Sequence, residues 1–141
     1  MPTPKEAKAA LAAALLNEPA IAAIVGRHVY PDQAPRLPAG QPYMVFAEIS
    51  NVQPKTLRGK VDSRRSRFQI AAQCQTRLQT ADLATALEAL LDAKSNHIFG
   101  GLLVKASLIS DDEGAADEDD PPIPGFEFGD RTVRMDLFWV F

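Results

Sequence analysis

The chain has 141 residues, of which 46% are hydrophobic, and its formal net charge is -3 at pH 7. This composition excludes wholesale disorder, and the length predicts one domain over residues 1–141 that buries about two-thirds of its unfolded surface without disulfides or metal ions. The mild acidity argues against overall attraction to nucleic-acid phosphates, and the single cysteine, Cys74, excludes an internal disulfide and a thiolate metal cluster and fits a reducing cytosol.

The N-terminal third is predicted to hold two helices and a long connection. The opening T-P-K-E pattern is a capping box with proline at the first helical position, and it predicts a helix over residues 3–16. A second helix is predicted over 20–25 and ends at Gly26. Residues 27–30 are a brief extended piece, and the prolines of 31–42 predict an ordered loop without regular structure.

The centre of the chain changes from the period of a strand to the period of a helix. Residues 43–50 predict a strand with Tyr43, Val45, Ala47 and Ile49 on one face, and alternation of apolar and polar side chains from Arg67 to Gln75 predicts another. In the second strand, Phe68 and the alternate residues up to Cys74 face the core. After a polar turn at Thr76, leucines at helical spacing predict an amphipathic helix up to about Ala93.

The C-terminal third is predicted to contain a turn and two further strands. Residues 94–101 are predicted to be a helix exit and turn. The strand 102–110 places Leu102, Val104, Ala106 and Leu108 on one face. Alternation over 131–141 predicts the final strand, with an apolar face of Val133, Met135, Leu137, Trp139 and Phe141. The predicted fold is therefore α+β, with a mostly antiparallel sheet of about four strands and helices packed on one face.

Residues 51–63 join two strands, and we expect a long β-hairpin arm there, rich in basic side chains. The basic residues of the arm have two interpretations: they make an electrostatic contact with an acidic partner, or they belong to a solvated hairpin that keeps the chain soluble. Without interleaved aromatic residues the arm offers no stacking platform for bases. The candidate interface residues of the arm and its base are Lys55, Arg58, Lys60, Arg64, Arg65 and Arg67.

A second charged segment has seven carboxylates within residues 111–120 and is followed by prolines. Self-repulsion predicts a solvated loop, and the spacing lacks the pattern of a calcium-binding loop. A third possibility is contact with the basic arm of a neighbouring copy, or the lining of a channel that repels polyanions. The acidic residues are Asp111, Asp112, Glu113, Asp117, Glu118, Asp119 and Asp120.

No constellation of reactive residues is visible in the sequence. His28, His97 and Cys74 are isolated, and no G-x-S-x-G motif or glycine-rich phosphate loop is present. Glu88 and Asp92 lie four residues apart on the polar face of the predicted helix, where we expect them to be exposed. We therefore predict that the protein is not an enzyme and has no catalytic residues, cofactor or metal ion.

The N-terminal residues lack the basic region and the leucine-rich apolar region of a signal peptide. No apolar run approaches the ~20 residues needed to cross a bilayer. We therefore expect a soluble protein without a membrane partner.

Three stretches carry a resemblance to a known family. Residues 21–50 contain V-G-R-H-V-Y-P and a proline-rich loop flanked by A-P and P-Y, residues 64–93 form the strand and helix, and residues 130–141 form the alternating final strand. In this order the chain resembles the tail-completion, or tail-terminator, proteins of long-tailed bacteriophages.

The resemblance implies an assembly role in the virion. Such proteins form a ring, typically of six copies, on the head-proximal end of the tail tube, end tube polymerisation and join the tail to the head connector. The partners implied are further copies of the chain, the tube protein and the connector, and DNA passes through without specific binding. The implied location is the tail–neck junction, after synthesis in the host cytoplasm.

Under this interpretation, the strand face bearing Arg67, Gln69 and Gln73 contacts a neighbouring copy. The arm reaches the tube or the next copy, and the acidic loop discourages DNA from binding in the lumen. The alternative is a nucleic-acid-binding accessory module acting through residues 55–67, whose binding would weaken steeply with salt. A small enzyme that gathers His28 or His97 with carboxylates is a third, less favoured hypothesis.

Overall fold

The computed structural model describes residues 4–52, 55–56, 59–60, 64–110 and 132–141. The helices of this part of the chain are α1 (Pro4–Asn17), α2 (Pro19–Val25) and α3 (Arg77–Leu91). Its strands are β1 (Val29–Pro31), β2 (Tyr43–Val52), β3 (Lys55–Thr56), β4 (Gly59–Lys60), β5 (Arg65–Gln73), β6 (Lys94–Phe99), β7 (Leu102–Ser110) and β8 (Thr132–Val140). The α+β class and the principal helices are thus confirmed.

Within the described residues, the main sheet has six strands in the order β1-β2-β5-β8-β7-β6, and β3 and β4 form a separate pair. β1 runs parallel to β2, and every other pairing within this sheet is antiparallel. One parallel pairing among five agrees with the predicted, mostly antiparallel sheet, but the predicted number of about four strands is wrong. The two additional strands lie at the two edges, where short or polar segments give little alternation in the sequence.

β6 replaces the turn that was predicted for residues 94–101. Only Phe99 of this strand is buried, and the four residues before it are exposed, so the sequence shows no periodic apolar side chains. Pairing with β7 supplies the backbone hydrogen bonds that make the segment a strand. The turn itself is confined to Gly100 and Gly101, which join Phe99 to its cross-strand partner Leu102.

β7 turns a different set of side chains toward the core than its alternation predicts. Leu102 and Val104 are buried, as expected, but Ser107 is fully buried and Leu108 is 52% exposed. The face that meets the core thus changes between Val104 and Ser107. The Ser107 hydroxyl is held there by accepting from Trp139 Nε1 at 2.9 Å and donating to the Leu91 carbonyl at 2.6 Å.

The helices pack together on one side of the sheet, which we call the inner face. α2 ends at Gly26, whose φ of 62° is costly for other residues, and α3 begins at Thr76, whose hydroxyl accepts from the Gln79 amide at 3.1 Å. The largest fully buried side chains are Leu11, Leu15, Ile21, Met44, Phe46, Phe68, Ile70, Leu83, Leu87, Leu91, Leu137 and Trp139. No single described helix is long and apolar enough to cross a membrane; α1 and α2 pass that test only jointly, across an 82° bend.

The two charged segments are described only in part. β3 and β4 pair antiparallel, with Lys55 opposite Lys60, in agreement with a hairpin within the predicted arm. Arg58 lies outside the described residues. So do all the predicted acidic-loop residues, Asp111, Asp112, Glu113, Asp117, Glu118, Asp119 and Asp120.

Candidate functional site

The outer face of the sheet, opposite the helices, is the candidate site. Strand register orders its residues into rows that cross β2, β5 and β8 and, in three of them, β7. The rows, from the proline-rich loop toward the arm, are Tyr43–Gln73–Thr132, then Val45–Ala71–Arg134, then Ala47–Gln69–Asp136–Ser110, then Ser50–Arg67–Phe138–Leu108, and last Val52–Arg65–Val140–Ala106.

The loop end of the outer face is covered by the chain itself. Val45 and Ala71 are 1% and 0% exposed, and Ala34 of the proline-rich loop packs against them. The Gln75 side chain donates to the Gly40 carbonyl at 2.6 Å and so ties this loop to the end of β5. The proline-rich loop therefore covers the strands at this end of the outer face.

The middle of the outer face holds a polar network. Arg67 Nη2 donates to Asp136 Oδ2 at 2.8 Å, and the Arg67 guanidinium lies 5.9 Å from the centre of the Phe138 ring. The Gln69 amide, oriented as its neighbours require, accepts from Arg134 Nε and Nη2 at 2.7 and 2.8 Å. Gln69 is 1% exposed, so in the single chain it is engaged internally and is not offered to a neighbour as the sequence suggested.

We predict that Arg67 and Asp136 are energetically coupled. Their side chains are only 26% and 10% exposed, so water screens the pair less than a surface pair. A double-mutant cycle of Arg67→Met and Asp136→Asn, measured by urea unfolding, should give a coupling of about 1–2 kcal/mol. The matched control is the Lys8–Asp32 pair, whose atoms are 3.9 Å apart and whose side chains are 36% and 65% exposed. Equal couplings for the two pairs would contradict the prediction.

The basic residues at the base of the arm have different roles. Arg64 Nη1 donates to Asn51 Oδ1 at 3.1 Å, and the Arg64 backbone exchanges hydrogen bonds with Phe141, so this residue belongs to the end of the sheet. Arg67 is used in the ion pair with Asp136. Arg65, between them, is exposed and points to the outer face beside Val52 and Val140. Of these three arginines, Arg65 is therefore the one placed to meet a partner.

Exposed apolar side chains gather at the arm end of the outer face. The described residues include seven exposed large hydrophobics, and two of them, Leu16 and Leu78, are on helices. The other five lie on the outer face: Val52, Ile98, Leu103, Leu108 and Phe138. Leu108 opposes Phe138 and Ile98 opposes Leu103, and exposed Lys105 lies between the two pairs along β7. We call these five residues, with Arg65 and Lys105, the arm-side patch.

Sequence reasoning missed the arm-side patch, because it placed Leu108 on the same strand face as Leu102 and Val104, which are buried. The available signal was the presence of consecutive apolar residues where strict alternation would place a polar one. Leu102–Leu103 and Leu137–Phe138–Trp139 are such runs, and each turns one large side chain outward. A strand that is apolar on both faces is expected to have both faces covered.

Residues considered for chemistry do not come together. His28 Nδ1 lies 2.6 Å from the Tyr30 hydroxyl, and the exposed His97 contacts the ring of Phe99. Burial raises the pKa of the Cys74 thiol, although a hydrogen bond with Thr80 lowers it in part, so the thiol stays protonated at neutral pH. Within the described residues, no three His, Cys, Asp or Glu side chains are placed to hold a metal ion.

The helix side of the molecule carries a stripe of exposed residues and a groove. The exposed residues of α3 form the stripe, which we call the α3 face: Arg77, Leu78, Ala81, Asp82, Thr85, Glu88 and Ala89. Beside it lies a groove of about 190 Å³, lined by Glu18, Ala20, Ala86, Ala89, Leu90, Lys94 and His97. Asp92 is not part of this stripe, because its Oδ1 accepts from the Ile109 amide at 3.0 Å.

The fold, the arm-side patch and the α3 face together define a class of protein: a small α+β domain whose described surface offers faces on which other proteins can dock. The family model described as tail completion protein gp17 matches residues 9–121, and the chain belongs to this family. Neither the comparison with curated proteins nor that with solved structures found a match. The family resemblance is thus confirmed, although the final strand lies beyond the matched range.

Membership makes the protein a structural component of the bacteriophage tail and of the virion. The family also implies contact with other tail or head proteins. The surfaces on which those contacts occur must therefore be sought among the exposed faces just described.

Proposed function

We propose that this protein forms a ring, typically of six copies, on the head-proximal end of the tail tube. The ring ends tube polymerisation and joins the tail to the head connector, at the tail–neck junction of a virion assembled in the host cytoplasm. Its partners are further copies of the chain, the tube protein and the connector protein. DNA passes through the ring without specific binding, and the protein catalyses no reaction.

The observation that carries this proposal is the arm-side patch. Isolated exposed hydrophobic residues are ordinary, but several large ones on one face of a small domain mark a surface that a partner covers. The patch lies next to the strands that lead into the arm, so an arm contact and a patch contact would be made with neighbouring parts of one assembly. Because the chain belongs to the tail completion family, the assembly in which we place these contacts is the phage tail.

Electron microscopy of tails made with and without the protein tests this function. Tails made without it should lack a terminal ring and vary widely in tube length, and purified protein added back should restore uniform, capped tails. Tails of normal length and normal head attachment in its absence would contradict the proposal.

We predict that Arg65→Glu impairs tail joining while the chain remains folded. Arg65 is exposed and has no role in the core, so its reversal should change the free energy of unfolding by less than about 0.5 kcal/mol. Infectious particles should fall tenfold or more. Arg64 must be left unchanged, because its side chain holds Asn51.

The matched control is Arg36→Glu, an equal charge reversal at an exposed position in the proline-rich loop. Normal infectivity of Arg65→Glu would remove this residue from the mechanism. Normal tails, together with duplex binding by the wild type that weakens with salt and is lost in Arg65→Glu, would instead support the nucleic-acid-binding alternative.

A further inference from the structure

We propose that the arm-side patch of one copy binds the α3 face of the next copy, so that neighbours in the ring meet head to tail. This inference rests on the proposed ring and names the two surfaces that build it. The residues that carry it are Arg65 and Phe138 on the patch, and Asp82 and Glu88 on the α3 face.

The two surfaces match in length. Leu103 and Leu108 are five residues apart on β7, which is about 16 Å at the rise of a strand. Leu78 and Ala89 are eleven residues apart on α3, which is about 16 Å at the rise of a helix. A helix of ordinary diameter covers about two strands, so α3 of a neighbour would span the exposed rows of β7 and β8.

The two surfaces also match in charge. The patch presents Arg65 and Lys105, whereas the α3 face presents Asp82 and Glu88 along its middle and C-terminal part, with Arg77 at its N-terminal end. Two patches placed against each other would bring like charges together, and so would two α3 faces. Charge complementarity therefore favours contact between the two different surfaces, which also selects against the symmetric dimer.

Their positions in the fold suit a ring. The patch is on the outer face of the sheet and α3 is packed on the inner face, so a copy cannot cover its own patch with its own helix. When each contact joins the patch of one copy to the α3 face of another, every row of copies ends with one unoccupied patch and one unoccupied α3 face. These two ends meet and close a ring when the rotation between neighbouring copies divides a full turn.

The groove beside the α3 face adds a place for an apolar side chain. Its floor includes Ala86, Ala89 and Leu90, and its volume is about 190 Å³. Phe138, 42% exposed at the centre of the outer-face rows, is the largest exposed side chain of the patch. Aromatic side chains that enter such pockets commonly dominate the affinity of an interface.

A charge-swap experiment tests the inference on full-length protein. The patch variant is Arg65→Glu with Lys105→Glu, and the α3 variant is Asp82→Lys with Glu88→Lys. Each variant alone carries like charges on both contact surfaces and should lose ring formation on tail-tube ends at least tenfold, scored by electron microscopy. A mixture of the two variants has opposite charges at every contact and should restore rings of alternating copies.

The control for net charge is Arg27→Glu with Arg36→Glu, which changes two exposed arginines elsewhere and should form rings normally. Urea unfolding of each variant establishes that it is folded. A chain that carries all four substitutions of the two variants provides a second rescue, because its two surfaces are again complementary.

Other outcomes overturn the inference. If the wild type forms rings and both variants do so equally well, the contact lies elsewhere, although the proposed function stands. If only the patch variant fails and the mixture does not restore it, the patch binds the tube protein. If the patch variant loses stability but still forms rings, residues of its own chain cover the patch. Absence of rings in the wild type would instead refute the proposed function.

Discussion

Replacing Trp139 by alanine is expected to lower the free energy of unfolding by about 3–5 kcal/mol, enough to remove much of the stability of a small domain. Trp139 is 1% exposed and lies between two rings of the core. Its indole stacks on Phe99 with centroids 5.2 Å apart and meets Phe68 edge-on at 5.6 Å. The substitution leaves a large cavity between the sheet and the helices.

The indole nitrogen of Trp139 makes a separate contribution to the free energy of unfolding. It donates to Ser107, whose hydroxyl in turn donates to the last turn of α3, so one residue links β8, β7 and the helix. Trp139→Phe keeps most of the ring volume and loses this hydrogen bond, and it should cost about 1–2 kcal/mol. The measurement is urea unfolding followed by circular dichroism.

The neighbouring residue provides the control for Trp139. Phe138→Ala removes an aromatic ring from the same strand, but that ring is 42% exposed on the outer face. Its effect on stability should stay below about 1 kcal/mol. Similar losses for Trp139→Ala and Phe138→Ala would show that the core is not organised around the buried ring.

Replacing Gly100 by alanine should cost about 2–4 kcal/mol. Gly100 and Gly101 form the two-residue turn between β6 and β7, and both have positive φ, 53° and 84°. A Cβ at Gly100 would lie 2.7 Å from the Ala10 carbonyl oxygen and 2.9 Å from the Ala10 Cα. Because these are backbone atoms of α1, the helix must move away from the turn.

Comparing Gly101→Ala with Gly100→Ala separates two contributions to the loss of unfolding free energy, the strain of the backbone conformation and the steric crowding by the added Cβ. A Cβ at Gly101 meets nothing within 4 Å, so Gly101→Ala has only the conformational strain of about 1–2 kcal/mol. The difference between the two variants, measured by urea unfolding, reports the close approach of the turn to α1. Equal losses at the two glycines would contradict the packing of α1 against this turn.

The strands and helices with periodic apolar side chains were predictable, because that periodicity can be seen in the sequence of each element alone. Phe68 and Ile70 faced the core as expected, and so did the five apolar residues of the final strand. β6 was not predictable, because its exposed polar residues become a strand only through pairing with β7. The change of face in β7 was not predictable for a similar reason, since it depends on the register with β8, which places Ser107 opposite Trp139 and Leu108 opposite Phe138.

The candidate site was predicted only in part. Sequence reasoning identified the arginines at the base of the arm, but it could not separate Arg65 from Arg64 and Arg67, because their roles depend on Asn51 and Asp136, which are distant in sequence. The arm-side patch needed strand order as well. Val52 and Leu108 share one face only because β5 and β8 lie between β2 and β7.

Within the described part of the chain, β6 is an edge strand of the sheet, and this edge has a consequence for the behaviour of the protein at high concentration. Asn96, in the middle of this strand, has a φ of 48°, which breaks the regular row of amide and carbonyl groups that a new strand would need. Edge-to-edge addition of one sheet to another is thereby discouraged, and with it the growth of amyloid-like fibres.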